Sequence, residues 1–168
     1  MRLLFALLLC AVPVSSTAQT AAAIYQQACG PLKAKFVVEQ VNGQPPTAPE
    51  PGKALVYFIQ KETGAYFTTR VGLDGAWVGV VQDDSYIFAA VAPGEHHACA
   101  ATLNRKHREA ELVHFTVEAG KTYYYLVRGM GGNAGYGGFA AMELGPADRD
   151  EARYLIASDP QSVAKPNP

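Results

Sequence analysis

The sequence is poor in charged residues and in cysteine, and it has no long apolar run beyond its first residues. Charged residues make up 17% of the chain, and the formal net charge is −1 at pH 7. A nucleic-acid-binding protein needs a strongly basic surface that neutralises phosphates, so a nucleic-acid partner is excluded. A membrane-spanning helix needs about 20 apolar residues, so no transmembrane segment is expected.

Motifs that carry catalysis are also lacking. No serine stands in a nucleophile elbow, and no pair of carboxylates occupies the frame of a glycosidase. The glycine-rich segment GMGGNAGYGG, residues 129–138, lacks the Lys and the Ser or Thr that end a nucleotide-binding loop, so we interpret it as a flexible connection. The sequence therefore predicts a protein that is not an enzyme and that has no cofactor.

Residues 1–18 have the layout of a cleavable secretory signal. Arg2 precedes an unbroken apolar run of about 12 residues, and small residues follow up to a cleavage point after Ala18. Bacterial lipidation favours a small residue before its cysteine, and the large Leu9 precedes Cys10. We therefore expect an exported protein that is periplasmic or secreted, and we regard a lipid-anchored envelope protein as the less favoured alternative.

The cysteine count predicts a single disulfide bond. The chain has three cysteines, and Cys10 is removed with the signal. The two cysteines that remain in an exported chain, Cys29 and Cys99, are expected to pair in an oxidising compartment. Closing a loop of about 70 residues would stabilise the folded state by about 4 kcal/mol in the chain-entropy model.

Residues 19–52 form an N-terminal segment that contains Cys29, one strand and a proline-rich connection. The stretch before Cys29 is compatible with a short helix, which Gly30 and Pro31 would end. The run KFVVEQ is predicted to be a strand. Four prolines then follow in the thirteen residues VNGQPPTAPEPGK, which favours an extended and exposed connection.

Residues 53–145 consist of short apolar runs that are separated by turn residues. The runs are rich in Val, Tyr, Phe, Ile and Thr, and such strands in series predict a mainly β protein, with an antiparallel β-sandwich or barrel. Asp74-Gly75 predicts a type I′ hairpin, Pro93-Gly94 a type II turn, and residues 118–121 a further hairpin. Together these turns predict a meander in the middle of the chain.

The C-terminal residues leave this pattern. Residues 146–158 predict a short helix that Asp148 caps, with acidic residues in the first turn and an apolar stripe. The stripe consists of Ala152, Leu155 and Ile156. Residues 159–168 are predicted to be a disordered tail.

Several motifs in this order resemble a family of exported bacterial domains of unknown function. The motifs are PGKALVYFIQ, RVGLDGAWVG, VAPGEHHAC, AGKTYYYLVRG and DEARYLIAS, and the resemblance covers residues 29–158 or so. It implies an Ig-like or transthyretin-like β-sandwich that is exported, in some relatives as a lipoprotein. Because the family has no assigned activity, the resemblance implies no catalytic residues.

The stretch EHHAC contains the residue types of a metal site or a reactive thiol. In a strand, His97 and Cys99 share one face and His96 lies on the other, so the two histidines cannot bind one metal without a bulge. His114 is predicted to point outward, because its neighbours Val113 and Phe115 belong to the apolar face. We therefore predict no metal site, with His97 as the one weak candidate ligand.

Aromatic residues offer a candidate binding surface for a sugar or a peptide. They are Trp77, Tyr123, Tyr125 and Tyr136, and a structural role is the alternative for each of the first three. The predicted function is that of an exported, non-catalytic binding or interaction module of the cell envelope, with an envelope protein or a glycan as its partner. The alternative is a small envelope enzyme or a metal-binding protein that uses His97 and nearby loops.

Overall fold

The computed structural model describes residues 19–31, 33–61, 68–102, 110–131 and 139–166. Within these ranges the helices are α1, Ala21–Ala28, and α2, Arg149–Ser158. The strands are β1 Phe36–Val41, β2 Ala54–Lys61, β3 Thr68–Leu73, β4 Ala76–Gln82, β5 Ser85–Val91, β6 Gly94–Thr102, β7 Ala110–Val117, β8 Thr122–Gly131, β9 Phe139–Pro146 and β10 Gln161–Pro166.

The strands form two sheets that pack face to face. The large sheet has the strand order β1-β10-β5-β2-β8-β9, and the small sheet has the order β4-β3-β6-β7. The core between them takes at least one buried side chain from most strands, among them Val56, Phe58, Val71, Val81, Ile87, Ala100, Phe115 and Val127. This arrangement confirms the predicted mainly β sandwich with a short helix near each end.

The large sheet is mixed rather than antiparallel. β2 pairs with β5 in the antiparallel sense and with β8 in the parallel sense. The chain between β2 and β8 forms the four strands of the small sheet and β5, and this long connection lets β8 run parallel to β2, which a short hairpin does not allow. The prediction of an antiparallel sandwich therefore does not hold for the β2–β8 pair, which is parallel.

Both faces of β2 are covered, which explains its unbroken apolar sequence. Every residue from Ala54 to Gln60 is buried, because the small sheet packs on one face and α2 packs on the other. The apolar stripe predicted for α2, with Leu155 at its centre, makes this second contact. A strand that is buried on both faces loses the alternation of apolar and polar residues.

Charged groups fix α2 at the end of β2. Glu151 of α2 accepts a hydrogen bond from Lys61 Nζ at 3.0 Å and one from Arg128 Nη2 at 3.4 Å. Lys61 and Arg128 are neighbours on the paired strands β2 and β8. The helix begins as predicted, because the Asp148 carboxylate accepts hydrogen bonds from the Asp150 and Glu151 backbone nitrogens.

Only one of the three predicted turns joins strands of the same sheet. Asp74 and Gly75 have φ values of +50° and +79°, as a type I′ hairpin between β3 and β4 requires. Gly94 and Gly120 also have positive φ, but β5 and β6 belong to different sheets, and so do β7 and β8. These two turns carry the chain from one sheet to the other, and the predicted meander is wrong.

The predicted disordered tail is also wrong for residues 161–166. They form β10, which pairs with β1 along its whole length and makes a parallel contact with β5. Ser162 is buried in this position and its hydroxyl lies 2.9 Å from that of Ser85. The sandwich therefore extends beyond the predicted residues 53–145, because β1 and β10 complete the large sheet.

Candidate functional site

The outward face of the small sheet carries the predicted disulfide bond. α1 packs on this face, and Cys29, directly after α1, is bonded to Cys99 of β6 with a Cα–Cα distance of 5.6 Å. Both cysteines are buried, and Tyr25 packs against them. The bond that the cysteine count predicts is therefore present, and it fastens the N-terminal segment to the sheet.

Two glycines let the N-terminal segment come this close. A Cβ atom on Gly72 would lie 2.8 Å from the Ala28 carbonyl oxygen and 3.0 Å from Cys99 Sγ. A Cβ atom on Gly30 would lie 2.7 Å from the Trp77 backbone nitrogen. Real Cβ atoms do not approach other atoms so closely, so both positions need glycine for packing.

Trp77 belongs to this covered region, where it is partly buried and makes contacts within the fold. Its indole N–H donates a hydrogen bond to the Pro31 carbonyl oxygen at 2.8 Å. The Arg70 guanidinium lies over the ring at 4.6 Å from its centroid, a cation–π contact. Trp77 packs against the Cys29–Cys99 bond, which is a structural role.

The tyrosines of β8 are also used by the fold. Tyr125 is 7% exposed and packs in the core, with its ring centroid 4.6 Å from that of Phe115. Burial, together with the nearby Tyr123, raises the pKa of Tyr125 to about 12. The half-buried Tyr123 accepts a hydrogen bond from the Glu118 backbone nitrogen at 3.0 Å. Tyr136 lies outside the described residues. Trp77 lies on the small sheet, whereas Tyr123 and the buried Tyr125 lie on the large sheet, so the structure does not bring these three residues together on one surface.

His96 points inward, on the opposite face of β6 from His97, and both of its ring nitrogens meet an acceptor. Nδ1 lies 2.6 Å from Asp74 Oδ2, and Nε2 lies 2.8 Å from the Ala92 carbonyl oxygen. The other oxygen of Asp74 accepts a hydrogen bond from the His97 backbone nitrogen at 2.9 Å. Asp74 thus ties the β3–β4 turn to the start of β6.

The surroundings of His96 favour its charged form. Two acceptors are satisfied together only by an imidazolium, which has an N–H on each nitrogen. Burial by itself lowers the pKa of His96, but hydrogen bonds to Asp74 and Ala92 and the charge of Asp74 outweigh it, so the pKa lies above its ordinary value. With no nitrogen left for a metal or a substrate, this pair holds the structure together.

His97 points outward, together with Cys99, and contacts His114, which the sequence analysis did not consider as its partner. His97 and His114 are opposite residues on the antiparallel strands β6 and β7, and their rings stack with centroids 4.8 Å apart. Glu95 Oε2 lies 3.8 Å from His114 Nε2. His114 points outward as predicted, but His97 shares that face. The register that pairs them follows from the strand order, which the sequence alone does not give.

Two absences hold within the described ranges of the chain. No group of three or more His, Cys, Asp or Glu side chains already converges as a metal site. No helix among the same residues is both apolar enough and long enough to cross a membrane.

A comparison with family models gives one match. The model described as protein of unknown function (DUF2846) matches residues 50–139, which is more than half of the 168 residues. The chain belongs to this family. Searches of curated proteins and of solved structures gave no match.

The DUF2846 segment contains the whole small sheet and the stacked histidines of β6 and β7. Cys99, His97 and His114 lie inside it, whereas Cys29 and α2 lie outside. The candidate site of this DUF2846 protein is the outward surface of β6 and β7, which we name the β6–β7 face. It consists of Glu95, His97, Leu112, His114 and Thr116.

The β6–β7 face is open and partly apolar. Leu112 is 42% exposed, and the His114 side chain is 52% exposed. Ile24 of α1, the helix packed on this sheet, is a further exposed apolar side chain. Beneath Leu112 the backbone is held at Cys99, its cross-strand partner, by the disulfide bond. The face therefore presents apolar and imidazole groups on a rigid support.

Proposed function

We propose that the chain is an exported binding module of the bacterial cell envelope and has no catalytic activity of its own. Export is supported by the leader-like residues 1–18 and by the Cys29–Cys99 bond, because disulfides persist in oxidising compartments. The partner that the surface favours is an envelope protein.

The β6–β7 face is the observation that supports this function. Leu112 offers apolar contact area, and the imidazoles of His97 and His114 offer hydrogen-bonding groups beside it. Protein interfaces combine an apolar centre with polar groups around it. A face built on paired strands and braced by a disulfide also keeps its shape when a partner binds, which limits the entropy lost on association.

The placement of the other conspicuous side chains supports a non-catalytic role. Trp77 covers the disulfide, Tyr125 fills the core, and His96 is engaged at both nitrogens. An acid–base catalyst needs a ring nitrogen within reach of a substrate. His96 does not offer one.

Site-specific photo-crosslinking in the native host tests the proposal. A crosslinking residue in place of Thr116, on the β6–β7 face, is expected to give a defined protein adduct. Leu112→Asp should abolish that adduct, because a charge at the apolar centre opposes burial. Tyr154→Asp is the matched control, since Tyr154 is 72% exposed on α2, on the opposite side of the sandwich.

The outcomes separate the hypotheses. An adduct that is lost with Leu112→Asp and kept with Tyr154→Asp supports a protein partner at this face. No adduct, or one that both substitutions leave unchanged, contradicts it. Binding of the purified protein to envelope glycan without any protein adduct would replace the proposed class of partner.

A further inference from the structure

We propose that His97 and His114, with Glu95 as a third ligand, bind a divalent transition metal ion such as Zn²⁺ or Cu²⁺ on the β6–β7 face. The proposal goes beyond envelope binding, because it requires no partner protein. It concerns the same surface, and its test uses the metal alone.

The register of β6 and β7 places His97 and His114 directly opposite each other. Opposite residues on antiparallel strands have Cβ atoms about 4.5–5.5 Å apart, so both rings leave the sheet side by side. Their centroids are 4.8 Å apart and their planes differ by 28°. A tetrahedral ion with Zn–N bonds near 2.0–2.1 Å needs two nitrogens about 3.3 Å apart, a distance within reach of neighbouring rings.

Binding requires the rings to turn, because no three ligating side chains among the described residues converge already. The surroundings permit this movement. The His114 side chain is 52% exposed and lies on an open surface. His97 is half-buried and its ring contact within the described part of the chain is the stack on His114. Both rings lie on the outward side of the sheet, so they turn without disturbing the core between the sheets.

Glu95 supplies the third ligand from the same face. It stands two residues before His97, so strand alternation directs it to the same side. Its carboxylate oxygen is 3.8 Å from His114 Nε2, and its side chain is largely exposed. Two imidazoles and a carboxylate, with water in the remaining position, suit Zn²⁺ or Cu²⁺ rather than Mg²⁺ or Ca²⁺.

The backbone beneath these residues is fixed, which distinguishes the pair from two surface histidines that happen to be close. β6 lies between β3 and β7 in the small sheet, and Cys99, two residues after His97, is bonded to Cys29. The distance between the two Cβ atoms is therefore held by the sheet. A fixed spacing lowers the entropy lost when both rings bind one ion.

Titration of the mature protein, purified without a histidine tag, tests the proposal. Isothermal titration with ZnCl₂ and with CuCl₂ should show one ion per chain, and the electron paramagnetic resonance spectrum of the Cu²⁺ form should show coupling to imidazole nitrogens. Loss of a residue that only supports a metal ligand weakens metal binding by roughly 10–100-fold. His97→Ala and His114→Ala each remove a ligand itself and should weaken binding by at least this factor. Glu95→Gln should weaken it less.

The chain has four histidines, so a matched control is available. His107→Ala should leave the metal affinity unchanged. The proposal is overturned if the protein binds no ion in excess of the His97→Ala/His114→Ala double variant, or if His107→Ala abolishes binding while the other variants retain it. Circular dichroism shows whether each variant is folded. The electron paramagnetic resonance spectrum of the natural protein identifies the ligands without the need for a variant. A titration that shows no metal binding does not affect the proposed protein partner, and a crosslinking experiment without an adduct does not affect the proposed metal site.

Discussion

Replacement of Asp74 by Asn should remove a pH-dependent part of the folding free energy. Asn keeps an oxygen for the His97 backbone nitrogen and tolerates the positive φ of this position, so the hairpin is retained. What it removes is the negative charge 2.6 Å from His96 Nδ1. The variant therefore tests the effect of the Asp74 charge on stability while the hairpin conformation stays the same.

The size of the effect follows from the contacts. A hydrogen bond to a charged group contributes about 1.5–3 kcal/mol, and a neutral one about 0.5–1.5 kcal/mol. The Asp74 side chain is partly exposed, so solvent screening favours the lower end. We expect Asp74→Asn to lower the free energy of unfolding by about 1 kcal/mol while His96 is charged, and by less once His96 is neutral.

The direction of the pH dependence is set by the raised pKa of His96. The folded state holds the proton more tightly than the unfolded state does, so this stabilisation is complete below the unfolded pKa, near 6.5. It is lost as the pH rises through the higher pKa of the folded state. The stability of the natural protein should therefore fall over this window, and the variant should show a smaller fall.

Urea unfolding at a series of pH values between about 5.5 and 8.5 measures this difference. A change of 1 kcal/mol moves the urea midpoint by about 0.5 M, which is readily resolved. Leu112→Ala, a change to an exposed residue that does not titrate, is the control and should keep the natural slope. The reasoning is refuted if the difference between the natural protein and Asp74→Asn is independent of pH, or if NMR titration places the pKa of His96 at or below 6.5.

Three further predictions concern the packing of the ends of the chain. Protein that begins at residue 19, and so lacks Cys10, should show no titratable thiol when denatured and two after reduction. Cys29→Ser should lower the free energy of unfolding by about 4 kcal/mol in chemical denaturation. Gly72→Ala should lower it by about 1–3 kcal/mol, because the new methyl group meets the N-terminal segment at 2.8 Å, whereas Gly145→Ala, with its nearest neighbour at 4.0 Å, should be close to neutral. Truncation after residue 160 should lower the melting temperature and increase amide exchange in β1, and an unchanged melting curve would show that β10 does not support the sheet.

Local chemistry accounts for the parts of the structure that the sequence predicts well. The Asp74-Gly75 hairpin follows from backbone preferences at two residues, and the α2 cap follows from Asp148 and the amides after it. Strand alternation places His96 and His97 on opposite faces of β6. Each of these depends on neighbours within a few positions.

Long-range pairing decides what the sequence does not predict. Residues 161–166 are polar and contain proline, and they form a strand because β1, far away in the sequence, is there to pair with them. His97 meets His114 through the register of β6 and β7. Alternation separates Tyr124 from Tyr125 but does not reveal that both faces of β8 are covered, so neither tyrosine is left as an open surface.

The position of β10 between β1 and β5 has a consequence for biogenesis. β1 is made early, but the strand beside it in the sheet consists of residues 161–166. Until those residues have left the ribosome, and the translocation channel if the chain is exported, β1 has no strand to pair with and β5 has an open edge. A translation product that stops before residue 161 would leave these edges unpaired and open to pairing with another chain or to proteolysis.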